Sequence, residues 1–429
     1  MNTPLTSDTD APVDIPDGRV GDREGRAYAP LLALTNFGSY MAILTPIMLT
    51  LPLKIQDVVG PDEAAGAFGL VAAIGAVFAI ICNPLAGRLS DRTVSRFGRR
   101  RPWILGGAIG GVLSLYLIAS ANSLWMIILG WCLVEIFINS AQAAANATVA
   151  DQVPDARRGL VSGLVGFGLP IALLVGSIVV NVFTGYIERF VVPGILMLLF
   201  SAFFVAVLRD KQIERSSVPR FSLKEFGMSF VFNPRKAPDF GWVWLSRFAI
   251  MFGYSGINTY TVYLLIDRFQ IGGAELTGLI VANNLASCIM TIISSVVFGV
   301  LSDRLRNRRA FVALGSVLIA AGLLLIAFGP APIWITIASA ILGLGGGGFF
   351  AVDLALATET LPHKKDTAKD LGVLAITNGL PQSIAPAIAP AIIGLGVTLS
   401  INGYQLLYGI GAVVAVLGAV FVYRVKGVR

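Results

Sequence analysis

Charge is scarce in this sequence. Only 13% of its 429 residues are Asp, Glu, Lys or Arg, against about 25% in a soluble domain. Mean hydropathy is +0.78 and 55% of residues are hydrophobic. Length alone would allow two or three soluble domains, but this composition excludes them and points to a chain that crosses a membrane many times. Histidine is nearly absent: His363 stands alone, in a loop. The three cysteines, Cys82, Cys132 and Cys288, all sit inside apolar runs. Neither metal spacing nor a disulfide framework is present, so they read as small packing residues. No Walker sequence occurs, which counts against ATP-driven transport. "GLGGGG" at 343–348 satisfies GxGxxG to the letter. It follows no strand and lies in an apolar run, so close helix packing is its expected use. The reading therefore expects no enzyme, cofactor, bound metal or nucleic-acid partner.

What is present is a series of apolar segments. Twelve are read: 29–54, 64–87, 102–121, 124–150, 159–184, 190–208, 240–266, 273–300, 310–329, 333–358, 370–395 and 404–424. Each is near the roughly 20 residues needed to span a bilayer. Lipid offers backbone groups no water, and runs this long without alternation argue helix. Residues 1–28 are polar, rich in Asp, Pro and Gly, and read as a disordered cytoplasmic tail. Residues 209–239 form a polar central loop. It divides the chain into an N-terminal bundle, 29–208, and a C-terminal bundle, 240–429.

The net charge of +7 is distributed unevenly. With both termini inside, 28 of the 32 Lys and Arg fall in inner segments. Lys54, Arg189 and Arg268 fall outside, and Arg247 lies within a span. This bias fixes a cytoplasmic location for both termini and supports an even number of spans. The expected site of residence is the cell membrane.

The densest charge, "GRLSDRTVSRFGRRRPWI" at 87–104, falls in the inner loop between segments 2 and 3. It has an echo between segments 8 and 9. Gly87, Ser90, Asp91 and Arg92 recur as Gly299, Ser302, Asp303 and Arg304, each 212 residues on. A second echo joins the inner ends of segments 4 and 10: Asp151 and Pro154 recur as Glu359 and Pro362, 208 residues on. Two landmarks in the same order argue for two homologous halves. The expected fold is an all-α membrane protein, with twelve transmembrane helices in two pseudo-symmetric six-helix bundles.

"GRLSDRTVSRFGRR" resembles the loop motif of the major facilitator superfamily, over nearly the whole chain. The longer "SDRTVSRFGRRRPWI" most resembles the sucrose/proton symporters and the glycoside–pentoside–hexuronide cation symporters. The resemblance implies alternating access, with this loop as a conformational latch. Asp91 would accept hydrogen bonds from a neighbouring helix N-terminus and pair with arginines when the inner side is shut. Opening inward would break those contacts. Gating roles are expected for Asp91, Arg92, Arg99, Asp151, Asp303, Arg304 and Glu359. Arg96, Arg100 and Arg101 are expected to serve topology alone.

Charges inside spans are functional suspects, because each costs roughly 2.5–3.5 kcal/mol at the bilayer centre. Glu135 lies mid-way along segment 4, with Asn139 and Gln142 on the same helical face. The sucrose symporters carry an acid, an Asn and a Gln at matching spacing. Glu135 is thus the expected proton carrier, and protons the coupling ion; the alternative is a buried acid that serves packing. Arg247 and Asp353 each lie roughly 10 Å inside the inner boundary. They either pair, as a gate or with Asp353 as a second protonation site, or Arg247 snorkels to the cytoplasm.

Departures from the resemblance are informative. Segment 5 has no arginine and segment 1 no histidine, where sucrose symporters have them, which counts against sucrose itself. Segment 2 lacks the acids of sodium-coupled relatives, which favours protons. Segment 5 also lacks the GPxxGG element of antiporters. Candidate solute contacts are Asn36 and Tyr40 in segment 1, Asn139 and Gln142 in segment 4, and Tyr254, Asn258 and Tyr263 in segment 7. Asn283 and Asn284 in segment 8, and Asn378 and Gln382 in segment 11, complete the set. For each, an interhelical hydrogen bond is an equal alternative. The collection is uncharged and suits a small neutral polar solute such as a sugar, glycoside or nucleoside. The expected function is proton-coupled symport by a monomer; drug or metabolite efflux and a non-transporting sensor are the alternatives.

Overall fold

The structure is a computed structural model that describes residues 25–153, 155–210, 237–360 and 367–425. The expected tail and most of the central loop lie outside the described residues. Among the described residues, twelve helices follow in order. α1 runs Gly25–Thr45, passes through a π turn at Pro46–Thr50, and continues as Leu51–Val59. α2 is Pro61–Asp91, α3 Arg101–Ala119, α4 Leu124–Gln152, α5 Asp155–Val182 and α6 Tyr186–Val207. α7 is Pro238–Phe269, α8 Gly273–Leu305, α9 Arg308–Phe328, α10 Pro332–Glu359, α11 Thr367–Thr398 and α12 Gly403–Val422.

Each helix falls on one expected apolar segment. Among the described residues, ten are long and apolar enough to cross a membrane, and part of α11, Leu380–Gly396, is a shorter apolar helix. Large apolar side chains such as Leu113, Phe203 and Val413 are over half exposed. That suits a lipid-facing surface and no water-facing one. Turns between helices are tight. Gly60 takes φ +88 between α1 and α2, a conformation open to glycine at little cost. Ser123, Asn307 and Asn402 cap α4, α9 and α12 with their side-chain oxygens.

The packing repeats. α1 lies on α5 and α6, α2 on α4, and α3 on α4 and α6. The second half does the same: α7 lies on α11 and α12, α8 on α10, and α9 on α10 and α12. The halves meet where α2 packs on α11 and α5 on α8, a pair of contacts that a two-fold axis interchanges. The glycines of 343–348 permit close approach within the second half. A Cβ on Gly345 would stand 2.6 Å from the Gly315 carbonyl oxygen, and one on Gly343 would stand 2.3 Å from that of Ser287.

The face carrying both described chain ends is called terminal here, the opposite face distal. Hydrogen bonds described between the halves all come from α7 and all lie toward the distal face. The Tyr260 hydroxyl lies 3.5 Å from the Ala65 carbonyl across the boundary, and within its own half it donates to that of Pro386 at 3.0 Å. That of Tyr263 donates to Pro52 (3.2 Å) and Ala64 (3.4 Å). Phe68 meets both tyrosine rings edge-on at 5.8 Å. The distal face is sealed.

Candidate functional site

Three charged or polar assemblies and one cavity occupy the space that the helices enclose. The first lies on the terminal face. Asp91 is the last residue of α2 and Asp151 lies at the end of α4. Arg100 reaches both, bonding Asp91 and lying 3.3 Å from Asp151. It also donates to Ser90 Oγ at 2.6 Å and to the Gly87 carbonyl at 3.3 Å. Arg99 pairs with Asp151 at 2.5 Å. The expectation for Arg100 is therefore corrected: it is 3% exposed and sits at the centre of the cluster. Arg101 is corrected too, because its guanidinium donates to the Leu208 carbonyl at the end of α6. Arg96 stays exposed, stacked on Phe97 at 4.8 Å, and Arg92 is half-buried.

The cluster lies wholly in the first half and is intact while the distal face is sealed. Among the described residues, no hydrogen bond ties it to the second half. Its bonds thus shape a surface inside one half.

The echo in the second half is weaker. Arg308 approaches Asp303 at 3.4 Å, and the Asp303 side chain is 71% exposed. Arg304 is exposed. The Glu359 side chain, and Pro154 and Pro362, lie outside the described residues.

The second assembly links α4 to α1. Glu135 is buried, and Asn139 Nδ2 donates to its carboxylate (2.7 Å) and its carbonyl (2.8 Å). Gln142 Nε2 donates to Asn36 Oδ1 at 3.4 Å, and Asn36 in turn donates to the Leu32 carbonyl. Among the described residues no Lys or Arg pairs with Glu135. Asn36, Asn139 and Gln142 are therefore engaged with protein groups; the interhelical alternative is the one realised for Asn36 and Gln142. Tyr40 is half-buried beside them on α1.

The third assembly is the ion pair of Arg247 on α7 with Asp353 on α10. Their side chains are 10% and 4% exposed. Arg247 pairs and does not snorkel.

The cavity lies between the halves, walled by α1, α5, α7, α8 and α10, and measures about 50 Å³. Its polar lining is Thr45, Ser177, Tyr254, Thr261, Asn283, Asn284, Ser287 and Ser339, with no charged residue. Thr336 Oγ1 donates to Asn283 Oδ1 at 2.6 Å, which turns the amide's N–H groups toward other partners. Tyr254, Asn283 and Asn284 were expected in such a wall. Tyr263 was not placed correctly: it is a seal residue, 3% exposed. Gln382 is exposed on α11 and does not line the cavity. The side chains of Asn258 and Asn378 lie outside the described residues. The lining hydroxyls escape sequence reading, because single Ser and Thr are common in membrane helices for packing.

Further polar pairs brace each half at the distal face. Tyr186 at the start of α6 donates to Asp57 near the end of α1 at 2.5 Å, and Lys54 lies over its ring at 4.9 Å. Tyr404 at the start of α12 donates to Asp267 near the end of α7. Here too the second half repeats the first.

The sequence profile described as Major Facilitator Superfamily matches residues 31–296 and 281–428. A class B tetracycline resistance protein of Escherichia coli is 32% identical over 133 residues, 31% of this chain and 32% of that protein. Proton-associated sugar transporter A of Mus musculus is 34% identical over 127 residues, 27% of this chain and 16% of that protein. The matches thus span a third or less of these curated relatives. Tetracycline resistance proteins outnumber sugar transporters among the relatives found, so the narrower resemblance to sucrose symporters gains no direct support. Among solved structures, a bacterial homolog of the human lysosomal transporter Spinster, inward-facing and occupied, superposes with TM-score 0.72 at 13% identity, covering 95% of this chain and 97% of that one. The nucleoside transporter NupG superposes with TM-score 0.70 at 12% identity, covering 93% and 99%. At such identities the likeness is one of fold.

Proposed function

The chain belongs to the Major Facilitator Superfamily, and from that premise we propose that it is a proton-coupled symporter of a small neutral solute, such as a sugar, glycoside or nucleoside. The observation that carries this reading is the cavity between the halves, lined by hydroxyls and amides and by no charge. A solute rich in hydroxyls finds partners there; an ion finds none of opposite sign. At about 50 Å³ the cavity holds only a few waters. The halves must part to admit a solute, as alternating access requires.

Glu135 is the proton carrier in this reading. A carboxylate buried with one amide donor and no cation is costly while charged. Protonation relieves that cost, so a proton boards from one face and leaves at the other. The basic terminal face is the cytoplasmic one, in a cell membrane, with the protein working as a monomer. The Asp91–Arg100–Asp151 cluster forms the surface on which the second half closes.

A second reading is proton-driven efflux, and the likeness to tetracycline resistance proteins favours it. Direction of flux separates the two. Purified protein in liposomes with an imposed pH gradient would be offered labelled sugars, glycosides, nucleosides and tetracycline. Symport predicts accumulation of a neutral polar solute on the side to which protons run. Movement of the solute against the proton current would overturn symport in favour of efflux. Flux indifferent to the gradient would overturn proton coupling.

A further inference from the structure

α3 begins without a cap of its own. Its N-cap residue is Arg100, whose side chain makes no cap hydrogen bond and is committed to the latch. The first N–H groups of a helix need acceptors. They find one 110 residues further along the chain. Asp210 Oδ2 accepts from the backbone N–H of Arg100 at 2.5 Å and of Arg101 at 2.9 Å. An anion is favoured at that end of a helix.

The loop is shaped to admit this carboxylate. Gly98 takes φ +98, and a Cβ there would stand 2.4 Å from Asp210 Oδ2. Neighbours of Asp210 bind the same ground. The Leu208 carbonyl accepts from Arg101 Nε at 3.1 Å, and that of Arg209 accepts from Gln152 Nε2 at 2.7 Å. Residues 208–210 thus grip the start of α3 and the end of α4, the two places that bring Arg100 and Asp151 together. They are also the first residues of the connection to the second half, which resumes at Pro238 with α7.

We propose that Asp210 is the positioning residue of the latch: it fixes the backbone at Arg100 so that the buried guanidinium spans Asp91 and Asp151, and it ties the inter-half connection to that cluster. This rests on the latch being the closing surface of the terminal face. No part of the proposal requires Asp210 to meet solute or proton.

Distances between spin labels test it without any solute. Labels go on Trp125→Cys and Ile333→Cys, exposed at the distal ends of the two halves, in full-length protein with Cys82, Cys132 and Cys288 replaced by Ala. Loss of a helix cap is a roughly five- to tenfold effect on stability, and it moves a conformational ratio by up to that factor when one state needs the cap more than the other. Asp210→Ala is expected to raise the ratio of distal-sealed to distal-open protein by about that factor, as Asp91→Asn does. Gly98→Ala, which displaces the carboxylate without removing it, is expected to act alike. Asp210→Asn keeps the acceptor and should recover most of the balance. If Asp91→Asn shifts the ratio while Asp210→Ala and Gly98→Ala do not, the positioning role is wrong and the latch stands. If Asp210→Ala acts and Asp91→Asn is silent, Asp210 does not work through the latch. If none acts, the latch reading falls and this inference with it.

Discussion

Removing one partner of the Arg247–Asp353 pair should be far worse than removing both. The side chains are 10% and 4% exposed, on α7 and α10 of the same half. Solvent therefore screens little of their interaction. Two ions taken out of water lose several kcal/mol of hydration each, and their attraction returns much of that. Asp353→Asn leaves the guanidinium buried without its counter-ion, at a cost of about 3–5 kcal/mol. Arg247→Met strands the carboxylate, at a similar cost. The double variant Arg247→Met/Asp353→Leu leaves neither charge of the pair stranded, and apolar replacements of a buried pair are often neutral or better. It should lie within about 1 kcal/mol of the native protein. The coupling between the two sites is then several kcal/mol, well above the additivity error of about 0.5 kcal/mol.

Reversible unfolding in mixed micelles of rising sodium dodecyl sulfate measures these four free energies. Exchanging the charges, Arg247→Asp with Asp353→Arg, is the sharper test. A paired arrangement recovers stability and transport lost in either single reversal, whereas an arginine that merely reaches for the cytoplasm gains nothing from the second change. Additive effects, with coupling below about 0.5 kcal/mol, would refute the pairing.

Three other expectations follow from the geometry. Glu135→Gln should abolish uphill, proton-driven uptake in liposomes and leave solute exchange partly intact; undiminished accumulation would remove Glu135 from coupling. Tyr263→Phe deletes the one O–H that the Pro52 and Ala64 carbonyls share across the halves, at 3.2 and 3.4 Å. At about 1 kcal/mol for that shared donor, the distal-sealed population should fall about fivefold in spin-label distance distributions; an unchanged distribution would mean that the bond exchanges freely with water. Gly75→Ala would put a Cβ 2.2 Å from Trp131 Cδ1, costing about 1–3 kcal/mol in unfolding assays, and Trp131→Phe should recover part of it.

The helices were legible because lipid permits so little else. Twelve apolar runs gave twelve helices, and the ends moved where polar residues stay helical: α2 continues to Asp91, past its apolar run. The charged members of the site were legible for the same reason. A charge in an apolar helix is expensive, so Glu135, Arg247 and Asp353 stand out without any structure. Which of three consecutive arginines enters the latch was not legible, because that depends on where α3 starts and on the turn at Gly98. The repeat does not decide it, because Arg100 and Arg101 both recur, as Arg308 and Arg309, at the 208-residue offset that relates Asp151 to Glu359, while Arg99 meets Asn307. Asp210 gave no signal, since its partners lie 109 and 110 residues away. Tyr263 was misread because a tyrosine that seals a face and one that binds a solute have the same neighbours in sequence.

The bonds fall into two classes, and the division suits a molecule whose halves rock as units. The ties that brace a half at its two faces are charge-assisted and repeated. Arg101 holds the Leu208 carbonyl at the end of α6, and Arg309 holds the Val425 carbonyl just past α12. Tyr186 and Tyr404 bind Asp57 and Asp267. A sheltered bond of this kind is worth roughly 1.5–3 kcal/mol, and solvent screening lowers that at the exposed Asp57. Hydrogen bonds described between the halves are neutral, tyrosine hydroxyl to carbonyl, at 3.2–3.5 Å. They are worth roughly 0.5–1.5 kcal/mol each and can be replaced by water when exposed. Rocking therefore breaks the weaker set and keeps the stronger. The latch follows the same rule, because Arg100 spends its bonds inside the first half. Each half can present a finished surface to the other without being rebuilt in every cycle.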